Sequence, residues 1–222
     1  MDREQWRQQR RLWNEVQMDT IYARQYDDHW GGYINPAHRH MIERLLDLCQ
    51  PGAFILDAAC GTGKYWPLLL ERGFSVQGTD QSQQMLNRAH SKFPEVPVLH
   101  VGLQELPFVD TFDAVICMDA MENIFPEDWP IVLDNFARAL YENGLLYLTV
   151  ELETEEELQI AYEAGKRLGL PLLYGEYAHH GGYHYYPTTE QVHDWLHAAH
   201  FTVMEAIEGD GYRHYLTRKE TG

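Results

Sequence analysis

The sequence predicts an α/β fold in which helices cover both faces of a largely parallel β-sheet. From residue 54 onward, short apolar runs typical of buried strands alternate with longer segments of helical periodicity. The first apolar run leads into a loop of small residues at 58–63, and a helical pattern follows that loop. This order is typical of sheets that bind ligands at the carboxyl ends of parallel strands.

Strands and helices alternate through the middle of the chain. Gly73 ends the first helical pattern after the loop, and Asn143-Gly144 ends the third. The strands are predicted at 54–57, 75–78, 98–101, 112–117 and 145–150, and the helices between them at 66–72, 82–93 and 130–141. Such an alternation predicts parallel strands joined by crossover helices.

Both ends of the chain add further elements. The N-terminal segment is helical in pattern, with a break at Trp30-Gly31-Gly32-Tyr33 and a new start at Asn35-Pro36. A stretch rich in histidine, tyrosine and glycine interrupts the alternation, and a hairpin is predicted around Glu208-Gly209-Asp210-Gly211. We predict one domain with four parts: a helical cap (1–48), a cofactor-binding core (49–151), an insertion or lid (152–190), and a last helix with a C-terminal hairpin (191–222).

Composition excludes several functions. The 222 residues include 45% hydrophobic residues, enough for a sizeable core. The net charge of −17 argues against binding to duplex nucleic acid or an anionic membrane, because both require clustered positive charge. No apolar run approaches the roughly 18 residues of a membrane span, and the polar start lacks a signal-peptide pattern. The three cysteines are scattered, so we expect a cytoplasmic protein.

The only basic concentration lies near the start of the chain. Arg3, Arg7, Arg10 and Arg11 occur there within a predicted helix. Because charged residues on a helix usually face water, we predict a solvated face rather than an anion site.

The loop after the first strand is the strongest functional signal. Small residues at 58–63 allow a ligand to approach the backbone closely. A dinucleotide fingerprint would need a third glycine where Trp66 stands, and a P-loop would need Ser or Thr where Tyr65 stands. Asp57 at the strand end would repel a pyrophosphate and suits a cationic ligand. Asp80 follows the second strand, where a carboxylate can accept hydrogen bonds from ribose hydroxyls.

Four segments together resemble the class I S-adenosylmethionine-dependent methyltransferases. In chain order they are Asp57-Ala58-Ala59-Cys60-Gly61-Thr62-Gly63, the segment from Asp80 to Met85, Gly102-Leu103-Gln104-Glu105-Leu106-Pro107-Phe108, and the segment from Phe112 to Asn123. The first is similar to the family's D-x-G-x-G-x-G loop, with Ala59 in place of the first glycine. The third is similar to the family's D-A-E-x-L-P-F segment, with Gly102 in place of the first acid.

The resemblance covers about residues 20–151, and it implies both a fold and a cofactor. The implied fold is a Rossmann-like sheet of seven strands in which the last strand is antiparallel. The implied cofactor is S-adenosyl-L-methionine, and S-adenosyl-L-homocysteine is its product.

The resemblance also implies the cofactor site. Asp80 takes the place of the ribose-binding acid, Gln81 and Met85 line the adenine pocket, and the cap closes over the cofactor. Tyr26 of the cap is expected to reach the methionyl carboxylate. The predicted cofactor-binding residues are Tyr26, Asp57, Ala59, Gly61, Gly63, Asp80, Gln81, Met85, Leu103, Gln104 and Cys117.

Acids, histidines and aromatic residues are the candidates for the acceptor side. The predicted catalytic residues are Glu122, Asp119, His184 and His29, and the predicted substrate-binding residues are Glu151, Tyr185 and Trp30. A hydroxyl acceptor needs a base, whereas an amine needs only to lose its proton. Acids that follow the fourth and fifth strands slightly favour an amine, with His184 or His29 as the base for a hydroxyl in the alternative.

Histidines in the insertion raise the question of a metal. His179, His180 and His184 come without a cysteine, and glycines separate them. We therefore predict no metal site and expect residues 171–187 to form a substrate-binding lid that orders on ligand binding.

The predicted function is S-adenosylmethionine-dependent methylation of a small molecule, with a slight preference for N-methylation. O- or C-methylation is the alternative. Protein and nucleic-acid substrates are disfavoured, since Cys117-Met118-Asp119-Ala120 stands where an N-P-P-Y-type motif would be expected and the chain has no basic recognition patch. A hypothesis from another class is a catalytically inactive module that binds the cofactor. We predict neither a nucleic-acid partner nor a membrane partner.

Overall fold

A computed structural model of the chain describes residues 2–179 and 182–221. Its strands, in chain order, are β1 (Phe54–Ala58), β2 (Ser75–Asp80), β3 (Val98–His100), β4 (Phe112–Cys117), β5 (Leu140–Glu151), β6 (Glu176–His179), β7 (Gly182–Tyr185), β8 (Phe201–Gly209) and β9 (Tyr212–Lys219). Seven of these strands form one sheet in the order β3-β2-β1-β4-β5-β9-β8, and β9 alone runs antiparallel to its neighbours. The predicted Rossmann-like architecture is confirmed.

Five of the eight described α-helices start at a capping side chain. The eight helices are α1 (Arg3–Gln17), α2 (Ala23–Tyr26), α3 (Pro36–Leu48), α4 (Trp66–Leu70), α5 (Gln83–Lys92), α6 (Trp129–Ala139), α7 (Glu155–Arg167) and α8 (Thr189–Ala198). Of these, α2, α4 and α6 start without a capping side chain. Asn35 accepts hydrogen bonds from two backbone N–H groups at the start of α3, and Ser82 caps α5 in the same way. Wide π-helical turns at Met18–Tyr22 and Asp27–Gly31 flank α2.

The boundary between α6 and β5 differs from the prediction. Helical pattern and Asn143-Gly144 predicted a helix to residue 141 and a strand from 145, but α6 ends at Ala139 and β5 begins at Leu140. Leu140 is fully buried and pairs with the equally buried Phe112. Pairing with β4 therefore determines the structure here, and the left-handed Asn143 lies within an irregular part of the strand.

The sheet separates two apolar layers. Neighbouring residues of β1 point to opposite faces, with Ile55 in the layer formed with α3 and α4 and Leu56 in the layer formed with α6 and α8. Both side chains are fully buried. Trp6 of α1 lies in the second layer, so the cap packs against the core.

The insertion contributes part of this second layer. Strands β6 and β7 form an antiparallel hairpin, and Tyr183 and Tyr185 are 1% and 2% exposed. The ring of Tyr183 lies 6.0 Å from that of Trp6 and 4.1 Å from that of Phe125. The described part of the hairpin therefore packs against the core. Ordering of 171–187 on ligand binding stays a prediction, and His180 lies outside the described residues.

Arg3 and Arg7 of α1 pair with acids of other elements, so the predicted solvated face is wrong for these two residues, whereas Arg11 is exposed as predicted. The Arg3 guanidinium lies 2.8 Å from a carboxylate oxygen of the fully buried Glu176 and also contacts Glu127. Arg7 pairs with the buried Asp128, beside α6. The cap thereby acquires ion pairs to both the insertion and the core.

Candidate active site

A pocket opens where β1, β2 and β4 end, and cap residues form one of its walls. Asp119 at the end of β4 contributes to the lining, and Met18 of the cap faces the same space. Of the predicted cofactor residues, those that line the pocket are Tyr26, Asp57, Ala59, Gly61, Asp80, Gln81, Met85, Leu103 and Gln104. Nine of the eleven predicted cofactor residues therefore line the pocket, while their contacts with a cofactor remain predictions.

Two predicted cofactor residues lie behind the lining that the described residues form. Cys117 is fully buried at the end of β4, and its neighbour Met118 lines the pocket instead. Gly63 has a different function. A Cβ atom on Gly63 would lie 2.7 Å from the ring of Trp66, whereas one on Gly61 would meet nothing within 4 Å. Gly61 therefore faces open space, and Gly63 makes room for the indole.

The close packing of Gly63 against Trp66 predicts that a side chain at this position lowers the stability of the protein. Gly63→Ala should lower the free energy of unfolding by about 2–4 kcal/mol, because the φ of +72° and the close indole both oppose a side chain. Gly52→Ala is the matched control, since its φ is +78° but no atom lies within 4 Å. It should lose about 1 kcal/mol. Urea unfolding of both variants tests this, and equal losses would contradict a packing role for Gly63.

Asp80 connects the first loop to the second strand. Its carboxylate accepts hydrogen bonds from the backbone N–H groups of Gly61 and Ser82, both at 2.8 Å. Burial raises the pKa of Asp80 to about 6, although these two hydrogen bonds lower it. A carboxylate has more acceptor positions than two bonds use, so ribose hydroxyls can still be bound.

Asp57 is the second buried acid of the pocket. Its carboxylate accepts a 2.8 Å hydrogen bond from the indole N–H of Trp66. Burial raises the pKa of Asp57 to about 7, and the nearby Asp80 and Asp119 carboxylates raise it as well. Since a buried carboxylate is costly without a counterion, these acids favour a ligand with positive charge.

The loop after β3 is fixed by hydrogen bonds from α6. The side-chain amide of Asn135 donates hydrogen bonds to the carbonyl oxygens of Leu103 and Gln104, both at 2.9 Å. This leaves the other groups of the loop to face the pocket.

Asp119 is a strained residue at the end of β4. Its φ is +53°, a left-handed conformation that is rare outside glycine and clusters at functional sites. His38 Nε2 lies 2.7 Å from one carboxylate oxygen, and the Tyr65 hydroxyl donates to the other at 3.2 Å. Burial alone would raise the pKa of Asp119, but His38, Lys64 and Tyr65 outweigh it and hold the pKa below its usual range. Asp119 is therefore a fixed anion.

Glu122 and Glu151 lie close to Asp119. Glu122 is 5% exposed, and burial together with the Asp119 and Glu151 carboxylates raises its pKa well above the usual range. His184 Nδ1 lies 2.7 Å from a Glu151 oxygen. The structure thus brings three predicted acids and one predicted histidine to the same edge of the sheet.

Other predicted residues lie apart from the described lining. His29 Nδ1 contacts the carbonyl oxygen of Gln25 at 2.9 Å, and Trp30 is 45% exposed beside it. Tyr185 is buried in the second layer, where its hydroxyl donates to Gln191 at 3.2 Å. The structure does not bring these three side chains into the pocket.

Sequence reasoning missed several pocket residues. Lys64 lines the pocket, although it lies just outside the family-like loop, which ends at Gly63. Its ammonium can bind an anionic group of a ligand, as the methionyl carboxylate would be. His38 and Tyr65 gave no local signal, because they act by holding Asp119.

Two aspartates of the cap bind the edge of the pocket. Asp19 accepts hydrogen bonds from the Ser82 hydroxyl and from the backbone N–H of Gln84. Asp27 accepts from the Thr62 hydroxyl at 2.6 Å and pairs with Lys92. Each contact joins a π-helical turn of the cap to an element of the cofactor-binding core.

Comparisons with known proteins agree with this geometry. The profile of a methyltransferase domain matches residues 55–144. The ubiquinone/menaquinone biosynthesis C-methyltransferase UbiE of Campylobacter jejuni is 34% identical over 100 residues, 41% of this chain and 42% of that protein. The malonyl-[acyl-carrier protein] O-methyltransferase of Hamiltonella defensa is 29% identical over 112 residues, 50% of this chain and 43% of that protein. The chain thus matches less than half the length of these relatives.

The domain match over residues 55–144 and these relatives support the class I S-adenosylmethionine-dependent methyltransferase superfamily. A solved structure supports the fold over nearly the whole chain. It is the 1,6-didemethyltoxoflavin-N1-methyltransferase of Burkholderia thailandensis with bound 1,6-didemethyltoxoflavin and S-adenosylhomocysteine. The TM-score is 0.71 at 19% identity, and the match covers 95% of this chain and 90% of that chain. The predicted methyltransferase domain is confirmed over residues 55–144, and S-adenosylmethionine is the cofactor of the family that this domain supports.

The pocket of this methyltransferase fits the cofactor. Gly61 leaves room for the ligand beside the backbone, Asp80 offers acceptors to the ribose, and Lys64 offers a cation to the methionyl carboxylate. No group of three metal-ligating side chains occurs within residues 2–179 and 182–221. In the same part of the chain, no helix is long and apolar enough to span a membrane.

The raised pKa values predict how cofactor binding by the methyltransferase depends on pH. Asp57 and Asp80, with pKa values of about 7 and 6, are ionised above neutrality and become protonated as the pH falls. A sulfonium cation favours the ionised forms, so its affinity should be full above these pKa values and lost below them. From pH 8 to pH 5.5 we expect roughly a tenfold or larger rise in Kd.

Calorimetry with S-adenosylmethionine at both pH values measures this change. Adenosine is the matched probe, because it has the ribose but no cationic centre. Protonation of Asp80 should weaken adenosine as well, and the additional fall for S-adenosylmethionine measures the effect on the cation. Equal Kd values for S-adenosylmethionine at pH 8 and pH 5.5 would contradict the proposed influence of these acids.

Proposed function

We propose that this chain transfers a methyl group from S-adenosylmethionine to a small-molecule acceptor, and that the acceptor is an amine. The observation that carries the proposal is the negative charge of Asp119 in the lining of the cofactor pocket, with Glu122 and Glu151 behind the lining at the same edge of the sheet. A protonated amine would find opposite charge there, and the surrounding tyrosines add aromatic faces.

Individual side chains have separate tasks in the proposed reaction. S-adenosylmethionine, when bound, supplies a methyl group on a positively charged sulfur. Asp80 and Lys64 orient that cofactor from its ribose and carboxylate ends. Tyr26, which burial and the charges of Asp119 and Asp80 keep protonated by raising its pKa, can donate a hydrogen bond in the pocket. Asp119 presents a fixed negative charge toward the acceptor. Holding the two reactants in line and excluding water accounts for most of the catalysis required.

O- and C-methylation remain alternatives to N-methylation. The relatives named above include a C-methyltransferase and an O-methyltransferase, so the family leaves the acceptor atom open. A hydroxyl acceptor would need a base, and of the two predicted histidines it is His184 that lies beside one of these acids, 2.7 Å from an oxygen of Glu151. The acids themselves favour the amine.

A catalytically inactive S-adenosylmethionine-binding module is the hypothesis from another class. Such a module would retain the cofactor pocket and would not need a buried acid on the acceptor side. Glu122 is buried at a cost to stability, which supports an active enzyme instead.

An acceptor panel tests the proposal. The purified chain is incubated with S-adenosylmethionine and with tyramine, histamine, 4-ethylphenol or 4-hydroxyphenylacetate, and S-adenosylhomocysteine is quantified. We expect turnover of amines in preference to the phenol and the acid, unaffected by EDTA. Preferred turnover of the phenol or the acid would overturn the amine assignment. Cofactor binding without turnover of any compound would support the inactive module.

A further inference from the structure

The part of the pocket beside β3 has the position expected for the purine ring of the cofactor. In the sheet, β3 lies beyond β2, on the side away from β1. Asp80 at the end of β2 offers acceptors to the ribose, and Lys64 after the β1 loop offers a cation to the methionyl carboxylate. The base on the ribose would therefore lie toward β3, where Met85, Val101 and Leu103 give the lining an apolar surface.

Gly102 lies in this part of the lining, and the side chain of Glu105 folds back over it. A Cβ atom on Gly102 would lie 2.7 Å from Oε2 of Glu105. The carboxylate thus occupies the space in which a side chain of residue 102 would begin. The family-like segment has an acid at this position, and here the glycine removes it. A carboxylate from residue 105 stands in the same place.

The two oxygens of this carboxylate have different surroundings. Oε1 accepts a 2.8 Å hydrogen bond from Nη2 of Arg11 on the cap helix α1. Among the described residues, no hydrogen bond reaches Oε2, the atom over Gly102. Glu105, Arg11 and Gly102 line a groove that adjoins the pocket, and Arg11 and Gly102 line the pocket as well. Oε2 is therefore a free acceptor where the groove and the pocket meet.

We propose that Glu105 is the residue that recognises the exocyclic amine of adenine. This inference rests on the proposed function, because it takes S-adenosylmethionine as the bound cofactor. The exocyclic amine of adenine is a hydrogen-bond donor, and it needs an acceptor when the ring leaves water. Oε2 of Glu105 is that acceptor, while Arg11 binds the other oxygen and fixes the orientation of the carboxylate.

Two other interpretations of this contact predict different results. A carboxylate that only joined the cap to the core would need its bond to Arg11 but not the position of Oε2 over Gly102. Exposed ion pairs of this kind contribute little to stability. The other acceptor near this position is Oε1 of Gln104, which lies 3.5 Å from the same Cβ site. It is uncharged and farther away, so Glu105 is the stronger acceptor.

Adenosine and purine riboside test the proposal, because purine riboside lacks only the exocyclic amine. Each nucleoside competes with bound S-adenosylhomocysteine in calorimetry, which gives its Kd. The parent chain should bind adenosine roughly tenfold more tightly than purine riboside, the difference expected for one hydrogen bond to a charged acceptor. In Glu105→Ala this preference should fall below about threefold, while the Kd of purine riboside stays nearly unchanged.

Gly102→Ala displaces the carboxylate without removing it. The backbone of Gly102, with a φ of −77°, accepts a side chain, so the added methyl group acts on Oε2 of Glu105. The preference for adenosine should fall by a similar factor as in Glu105→Ala. Gly32→Ala is the matched control, since a Cβ atom there would meet nothing within 4 Å. It should keep the preference of the parent chain.

The outcomes separate this inference from the proposed function. An unchanged preference for adenosine in Glu105→Ala would overturn the proposal and leave Glu105 as a contact of the cap. Loss of the preference in Gln104→Ala but not in Glu105→Ala would assign the amine to Gln104 instead. A parent chain that binds S-adenosylhomocysteine without preferring adenosine to purine riboside would contradict this inference alone. Failure of the parent chain to bind S-adenosylhomocysteine would contradict the proposed function.

Discussion

Replacing Arg3 by alanine is expected to lower the free energy of unfolding by roughly 3 kcal/mol, a large effect for a residue so close to the chain start. The carboxylate of Glu176 has no solvent exposure, and Arg3 is its charged partner at 2.8 Å. Two further hydrogen bonds reach Glu176, from the Tyr183 hydroxyl and the Leu173 backbone N–H. They remain in the variant but cannot neutralise the charge.

The source of this effect can be isolated by a double-mutant cycle. Combining Arg3→Ala with Glu176→Gln removes the unpaired charge, so much of the lost stability should return. Arg10→Ala is the matched control on the same helix, since Arg10 contacts the Trp6 ring at 5.9 Å, as Arg3 does at 5.8 Å. It should lose less than about 1 kcal/mol. Urea unfolding measures the four proteins of the cycle and the Arg10→Ala control, and equal losses for Arg3→Ala and Arg10→Ala would refute the ion pair as the cause.

The second large effect is expected at Asp80. Asp80→Ala removes the ribose acceptor and also frees the N–H of Gly61, so the loop after β1 loses a contact that shapes it. Loss of a charge-assisted hydrogen bond costs roughly 1.5–3 kcal/mol, which corresponds to about a ten- to hundredfold weaker binding of S-adenosylhomocysteine.

Calorimetry with S-adenosylhomocysteine measures this change. Asp134→Ala, at an exposed position of α6, is the matched control and should bind like the parent. Adenosine separates the causes, because it retains the ribose and should lose affinity in Asp80→Ala by a similar factor. Unchanged affinity for both ligands in Asp80→Ala would show that Asp80 does not bind the ribose.

Most of the fold could be predicted from local sequence, because each buried strand is a contiguous apolar run in the chain. The run Phe112-Asp113-Ala114-Val115-Ile116-Cys117 is a strand with the predicted bounds, and Ser82 caps the helix where its hydroxyl predicts a start. The exception at Leu140 has a non-local cause. Its partner Phe112 lies on another strand, and helical periodicity carries no information about that pairing.

The site could be predicted only where a motif is contiguous. Asp57, Gly61 and Asp80 belong to such motifs and line the pocket. His38 lies 81 residues before Asp119, and Arg3 lies 173 residues before Glu176. No pattern in one sequence links residues so far apart. The left-handed backbone of Asp119 is equally non-local, since tertiary contacts with His38 and Tyr65 accompany it.

Ser82 belongs to the cap contacts and to the ribose site at once. Its hydroxyl donates to Asp19 of the cap, while its backbone N–H donates to Asp80. One residue therefore contacts both the cap and the ribose-binding acid. This contact couples closure of the cap to occupation of the pocket, and such coupling acts equally in both directions. The cofactor should protect backbone amides of residues 18–31 from hydrogen exchange. The factor by which the cofactor favours cap closure equals the factor by which cap closure raises cofactor affinity, so a change that loosens the cap should weaken cofactor binding.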